Sequence, residues 1–196
     1  MRTPITLAFL AMAALATPAL AQTDSETTTD EAETAATDLS MGEEALQVGQ
    51  PYIAAESGDW ALRCLKAEEG SSDPCQLYQL LRDEDGNSVA EISMFPLADG
   101  GEAAAGATIV VPLETLLTEQ VTISVDGSNA RRIPFTFCNG AGCVSRVGFS
   151  DEHVNQFKRG NQATLRIVPA AAPDQPVLLT ISLTGFTVGF DGLEVN

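Results

Sequence analysis

Positive charge is scarce in this chain: 10 Lys and Arg stand against 27 Asp and Glu in 196 residues, a formal net charge of −17. Phosphate backbones and anionic lipid are held by clustered cations, so this balance argues against nucleic acid and anionic membrane as partners. Histidine is scarcer still, with His153 alone. No G-x-S-x-G elbow, H-E-x-x-H helix, phosphate-cradling loop or dinucleotide-binding glycine fingerprint occurs, so no standard catalytic or cofactor motif is present and no cofactor is implied. After the N-terminus, no apolar stretch is long enough to cross a bilayer as a helix.

The N-terminus reads "MRTPITLAFLAMAALATPALAQ". Arg2 supplies a positive start, Ile5 to Leu15 form an apolar run too short to span, and Ala19-Leu20-Ala21 gives the small-x-small pattern of a cleavage site. Residues 1–21 therefore read as a secretory signal peptide, and the mature chain as periplasmic or secreted. Residues 22–50 are rich in Thr, Ala, Asp and Glu and contain no Lys, Arg, Phe, Trp or Tyr. Too little apolar surface is available there to offset ordering entropy, so the expectation is a disordered acidic leader. A marginal helix over Met41–Val48 is compatible with the spacing of Met41, Ala45 and Val48.

Residues 51–196 fit one domain with one core. Strand-like runs recur there between Gly, Pro and Asp turns. "DWALRCLK" alternates Trp60, Leu62 and Cys64 with Ala61, Arg63 and Leu65, and "CQLYQLLR" and "VAEISMFP" flank Asp85-Gly86, a hairpin signal. "ATIVVP", "QVTISVDG", "RIPFTFC", "CVSRVGF", "QATLRIVP" and "VLLTISLTGF" follow. The pattern predicts a mainly β, antiparallel sandwich or barrel-like domain with one or two short helices. The first helix is "SDEHVNQFKRG", with Ser150 as N-cap, acids in its first turn, bases in its last and Gly160 at its end. The second falls in "GFTVGFDGLE". Phe135, Phe137, Phe149, Phe157, Phe186 and Phe190 are expected in the core.

An even cysteine count behind a secretion signal points to disulfides, with three pairings open to Cys64, Cys75, Cys138 and Cys143. The pattern favours two local bridges. Cys64 and Cys75 sit on successive strands, and Cys138 and Cys143 flank "NGAG", whose glycines let the chain double back. Each would contribute roughly 2 to 3 kcal/mol on the loop-entropy account. The spacings suit neither paired zinc knuckles nor a thioredoxin-type Cys-x-x-Cys.

"SDEH" places Ser150, Asp151 and His153 together, but members of a catalytic triad come from separate elements, and helix capping accounts for the first two. "DEDGN" superficially matches a calcium loop; with Gly86 as its glycine, the first and last ligand positions fall on Leu81 and Ile92, which cannot bind calcium through side chains. Arg131 and Arg132 form one of two paired basic clusters and are the candidate contact for an acidic partner.

"GDWALRC", "PCQLYQ", Pro112-Leu113, "RRIPFTFCNGAGC" and "SLTGF", in that order, resemble the invasion-associated locus B (IalB-like) proteins of alphaproteobacteria over roughly residues 56 to 193. The resemblance implies a β-sandwich-like domain with two disulfides, and brings no catalytic residue set. It implies an exported, non-enzymatic cell-envelope protein acting by protein–protein interaction, in pathogenic relatives with a host-cell surface. The alternative is a periplasmic housekeeping or stress accessory such as a chaperone or inhibitor.

Overall fold

The computed structural model describes Gly42, residues 45–98 and residues 101–193. The signal peptide read over 1–21 and most of the leader read over 22–50 lie outside the described residues. Residues 45–50 form no helix, and a turn lies at Val48-Gly49. Hydrogen bonding to the end of the second strand replaces the helical pattern: Gly49 donates its N–H to Lys66 O at 2.8 Å, and Lys66 donates to Gln50 O at 3.0 Å.

Eleven strands and two α-helices follow. The strands are β1 (Pro51–Ser57), β2 (Trp60–Leu65), β3 (Cys75–Arg82), β4 (Ser88–Pro96), β5 (Ala105–Val111), β6 (Val121–Val125), β7 (Ser128–Ile133), β8 (Phe137–Asn139), β9 (Gly142–Phe149), β10 (Gln162–Ile167) and β11 (Val177–Ser182). The helices are α1 (Asp151–Arg159), after β9, and α2 (Phe186–Asp191), after β11. One sheet has seven strands in the order β1-β2-β3-β4-β5-β9-β8; the other has four, β11-β10-β6-β7. Every pairing is antiparallel. The fold is the mainly β antiparallel sandwich expected.

The period-two pattern explains the core. Leu77 and Leu81 of β3, Ile92 and Met94 of β4, and Ile109 and Val111 of β5 point inward from the large sheet. Ile123, Leu165, Leu179 and Ile181 meet them from the small one. At one end α1 and α2 close the sandwich with an aromatic cluster. Phe157 lies 5.4 Å from Phe149 and 5.5 Å from Phe186, and Phe186 packs at 5.3 Å on both Trp60 and Phe190.

Two segments depart from the sequence reading. "RIPFTFC" is not one strand: β7 ends at Ile133 in the small sheet, and β8 begins at Phe137 in the large one. Pro134 lacks the N–H a ladder needs, so the chain turns a corner there. Phe137 consequently lies on the outer face, 41% exposed, with the Arg146 guanidinium 5.5 Å from its ring centre, rather than in the core. Phe135 is half-buried against the core, and the other four phenylalanines named above are buried. β1 was not legible, because "PYIAAES" lies at an edge and shows no inward alternation.

The β1–β2 turn is fixed against the β11–α2 junction. Asp59 donates its N–H to Thr184 O at 3.1 Å, and Ser57 Oγ donates to Gly185 O at 2.8 Å. Gly185 has φ +83°, and a Cβ there would meet Ser57 O at 2.0 Å, so both conformation and space demand glycine.

Candidate functional site

Both predicted bridges are present, and each joins directly opposed residues on neighbouring strands. Cys64 pairs with Cys75 across β2–β3, and Cys138 with Cys143 across β8–β9. Cys64 and Cys143 are buried, whereas Cys138 is exposed. No free cysteine remains, and among the described residues no cluster of three His, Cys, Asp or Glu is placed to hold a metal ion. The Asp83–Asn87 loop is a hydrogen-bonded turn. Asp83 Oδ1 accepts from the N–H groups of Asp85 and Asn87 at 3.1 and 2.8 Å, and Asn87 Nδ2 donates to Oδ2. These bonds, with Asn87 contributing most, hold the Asp83 carboxyl below the usual carboxylate range.

His153 occupies the third position of α1 and completes a capping box with Ser150. Its Nδ1 lies 2.6 Å from Ser150 Oγ and accepts the Ser150 N–H at 3.3 Å, the part that Glu or Gln usually plays. Arg131 approaches from β7, with its Nη1 2.9 Å from Nδ1 and in contact with Nε2. Burial, then the Arg131 charge, push the His153 pKa down against a weaker opposite pull from Glu152. A neutral imidazole is what a guanidinium donor requires. His153 is therefore committed on both sides, to the helix start and to Arg131.

The register separates Arg131 from Arg132. Arg131 is opposite Ile123, whose side chain is buried, so it enters the inner face and lies over the Phe149 ring at 5.8 Å. Arg132 is opposite Thr122 and exposed on the outer face. Thr122 is opposite Arg166, and Arg166 is opposite Leu178. The outer face thus carries a row of Leu178, Arg166, Thr122 and Arg132, running from one edge of the four-stranded sheet to the other. The two guanidiniums stand two strands apart, about 10 Å of sheet. Among the described residues their acidic neighbour along the row is Glu119: Arg166 Nη1 lies 4.0 Å from its carboxylate, and Arg132 Nη2 donates to its backbone oxygen at 3.4 Å. Sequence reasoning missed Arg166. The signal was available, since strand alternation in "QATLRIVP" puts Thr164 and Arg166 on the face opposite the buried Leu165 and Ile167.

A family model described as invasion associated locus B (IalB) protein matches residues 60–194. The chain belongs to this family. Among curated proteins, invasion protein B homologs from Brucella abortus strain 2308 and from Brucella abortus biovar 1 strain 9-941 are each 24% identical over 162 residues, covering 82% of this chain and 90% of theirs. The crystal structure of invasion associated protein b from Bartonella henselae matches with a TM-score of 0.57 at 23% identity, over 68% of this chain and 89% of that one. This likeness establishes the shared sandwich. The IalB-family match begins at Trp60, so β1 precedes it, while both cysteine bridges and the whole Arg132–Arg166 row lie within it.

Proposed function

We propose that this chain is an exported cell-envelope protein of the invasion-associated locus B type that acts by binding another protein through the outer face of its four-stranded sheet. The observation that carries this reading is the Arg132–Arg166 row. Two guanidiniums stand on an ordered, hydroxyl-lined face of a domain that carries, in all, 19 Asp and Glu against 9 Lys and Arg from Pro51 onward. Neither is held by a close ion pair, so both remain available to an acidic segment of a partner. Two disulfides and family membership support work outside the cytoplasm. The engagement of His153 by Arg131 and Ser150 favours binding over hydrolysis.

A second reading, a periplasmic accessory that holds other chains, draws on a shallow groove of about 430 Å³ on the large sheet, lined by Leu80, Val110 and Val144 among others. Cross-linking in native cells, with accessibility labelling before and after outer-membrane permeabilisation, tests both. The contact reading expects one dominant adduct, lost in the Arg132→Glu/Arg166→Glu variant with the thermal midpoint unchanged. An adduct pattern untouched by that variant would overturn it, and labelling only after permeabilisation would turn the search to periplasmic clients.

A further inference from the structure

The sandwich has four edge strands, and they are not protected alike. An open edge offers unpaired N–H and C=O groups to another chain, and proteins blunt such edges with bulges, charges, Pro or shortness. β1 begins with Pro51, carries Glu56 and has an irregular register between Ile53 and Ala55. β7 carries Arg131 and Arg132 and borders a register shift in β6. β8 is three residues long and stapled to β9. β11, "VLLTIS", has six residues in unbroken register with β10, no charge and no bulge, and its Leu178 is 60% exposed.

The free stretch of this edge is short and bracketed. Ser182 turns its backbone away from β10: its N–H donates to Gln79 Oε1 at 2.9 Å, and its C=O accepts from Gln79 Nε2 at 3.1 Å and Trp60 Nε1 at 2.7 Å. Alternation along an antiparallel strand then directs the backbone groups of Thr180 and Leu178 outward as well. Those groups have no partner among the described residues. Two positions before Leu178 stands Pro176, which has no N–H to offer. The edge is thus open at Leu178 and Thr180 and closed at both sides.

We infer that β11 is the interface for a second copy of this chain, joined antiparallel across a two-fold axis at Leu179. In that register Leu178 of one copy lies opposite Thr180 of the other, and the two open residues exchange four backbone hydrogen bonds. Pro176 then falls opposite Ser182, so the residue without a donor meets the residue whose backbone groups are already occupied. No other antiparallel register pairs both open residues with each other. The result is an eight-stranded sheet in which Leu178 is covered and the Arg166 and Arg132 rows of both copies share one outer face. Each copy's excess of carboxylates opposes association, so added salt strengthens it.

Sedimentation over a wide concentration range tests this on the mature chain with both disulfides intact. A monomer–dimer equilibrium is expected, tighter at higher salt, with Leu178 and Thr180 amide exchange slowing as concentration rises. Thr180→Pro, which removes an outward donor on an edge where Pro is tolerated, and Leu178→Lys should each weaken the dimer at least tenfold without lowering the thermal midpoint of the monomer. A monomer at every concentration would overturn the inference. So would a dimer indifferent to both variants, or a monomer whose β11 edge takes up an extended foreign peptide instead.

Discussion

The side-chain amide of Gln79 stands in for a neighbouring strand beside Ser182, accepting its N–H at 2.9 Å and donating to its C=O at 3.1 Å. The pair ties the third strand of the large sheet to the edge of the small one, and Gln79 is buried while doing so. Gln79→Leu keeps the volume but strands the Ser182 N–H. Chemical denaturation should show a loss of about 1 to 3 kcal/mol, the cost of an unsatisfied polar group. Gln79→Glu should be worse at neutral pH and partly recover in acid, where a protonated carboxyl can donate again.

Acid should loosen the start of α1. His153 has its pKa pushed below the ordinary value in the folded state, first by burial and then by Arg131. The unfolded chain therefore takes up the proton first, and stability is lost as pH falls below about 6.5, the unfolded value. Thermal midpoints measured across this window should drop in the wild type and drop less in His153→Gln, which keeps a capping-box side chain without the titration.

Gly185 and Gly86 both have φ near +84°, at +83° and +84°, but their surroundings differ. At Gly86 a Cβ would meet open space, so Gly86→Ala carries only the backbone cost, about 1 kcal/mol. At Gly185 the new atom would collide with Ser57 O at 2.0 Å, and the β1–β2 turn would have to move. Melting curves should separate the two variants clearly, with Gly185→Ala the lower by several degrees.

The two bridges should differ in worth. Closing the eleven-residue separation of Cys64 and Cys75 removes more unfolded-chain freedom than the five-residue one of Cys138 and Cys143, about 3 against about 2 kcal/mol. Each bridge has one buried member, Cys64 and Cys143, so replacement by Ser adds a buried polar group in both and the loop length sets the order. Denaturant midpoints should rank this double variant below Cys138→Ser/Cys143→Ser.

Strand alternation made most of the sandwich readable, because burial on one face leaves a period-two trace in β2, β3, β4, β5 and β10. Where one-sided burial is missing, the trace goes with it, as in β1. The capping of α1 by Ser150 was legible from local chemistry. The role of His153 was not, since its partner Arg131 comes from a strand twenty-two residues earlier. Arg131 and Arg132 looked like one cluster because they are adjacent in the chain. A strand sends adjacent side chains to opposite faces, so they became an internal prop and an external contact. The hairpin turn at Asp126-Gly127, with φ of +46° and +72°, carried the same Asp-Gly signal as Asp85-Gly86 and was passed over within a strand-like run.

The Cys64–Cys75 bridge also decides how the molecule would respond to a pull. Tension entering at Pro51 would peel β1 from β2 residue by residue, a low-force unzipping along an edge. On reaching Cys64 the load would jump through sulfur to Cys75, and residues 65–74 would never be stretched. Force would then arrive at the head of β3, which is still paired along its length with β4 and tied to Ser182 through Gln79. The protein would yield by the length of its first hairpin and then hold: a shock absorber in series with a rigid body.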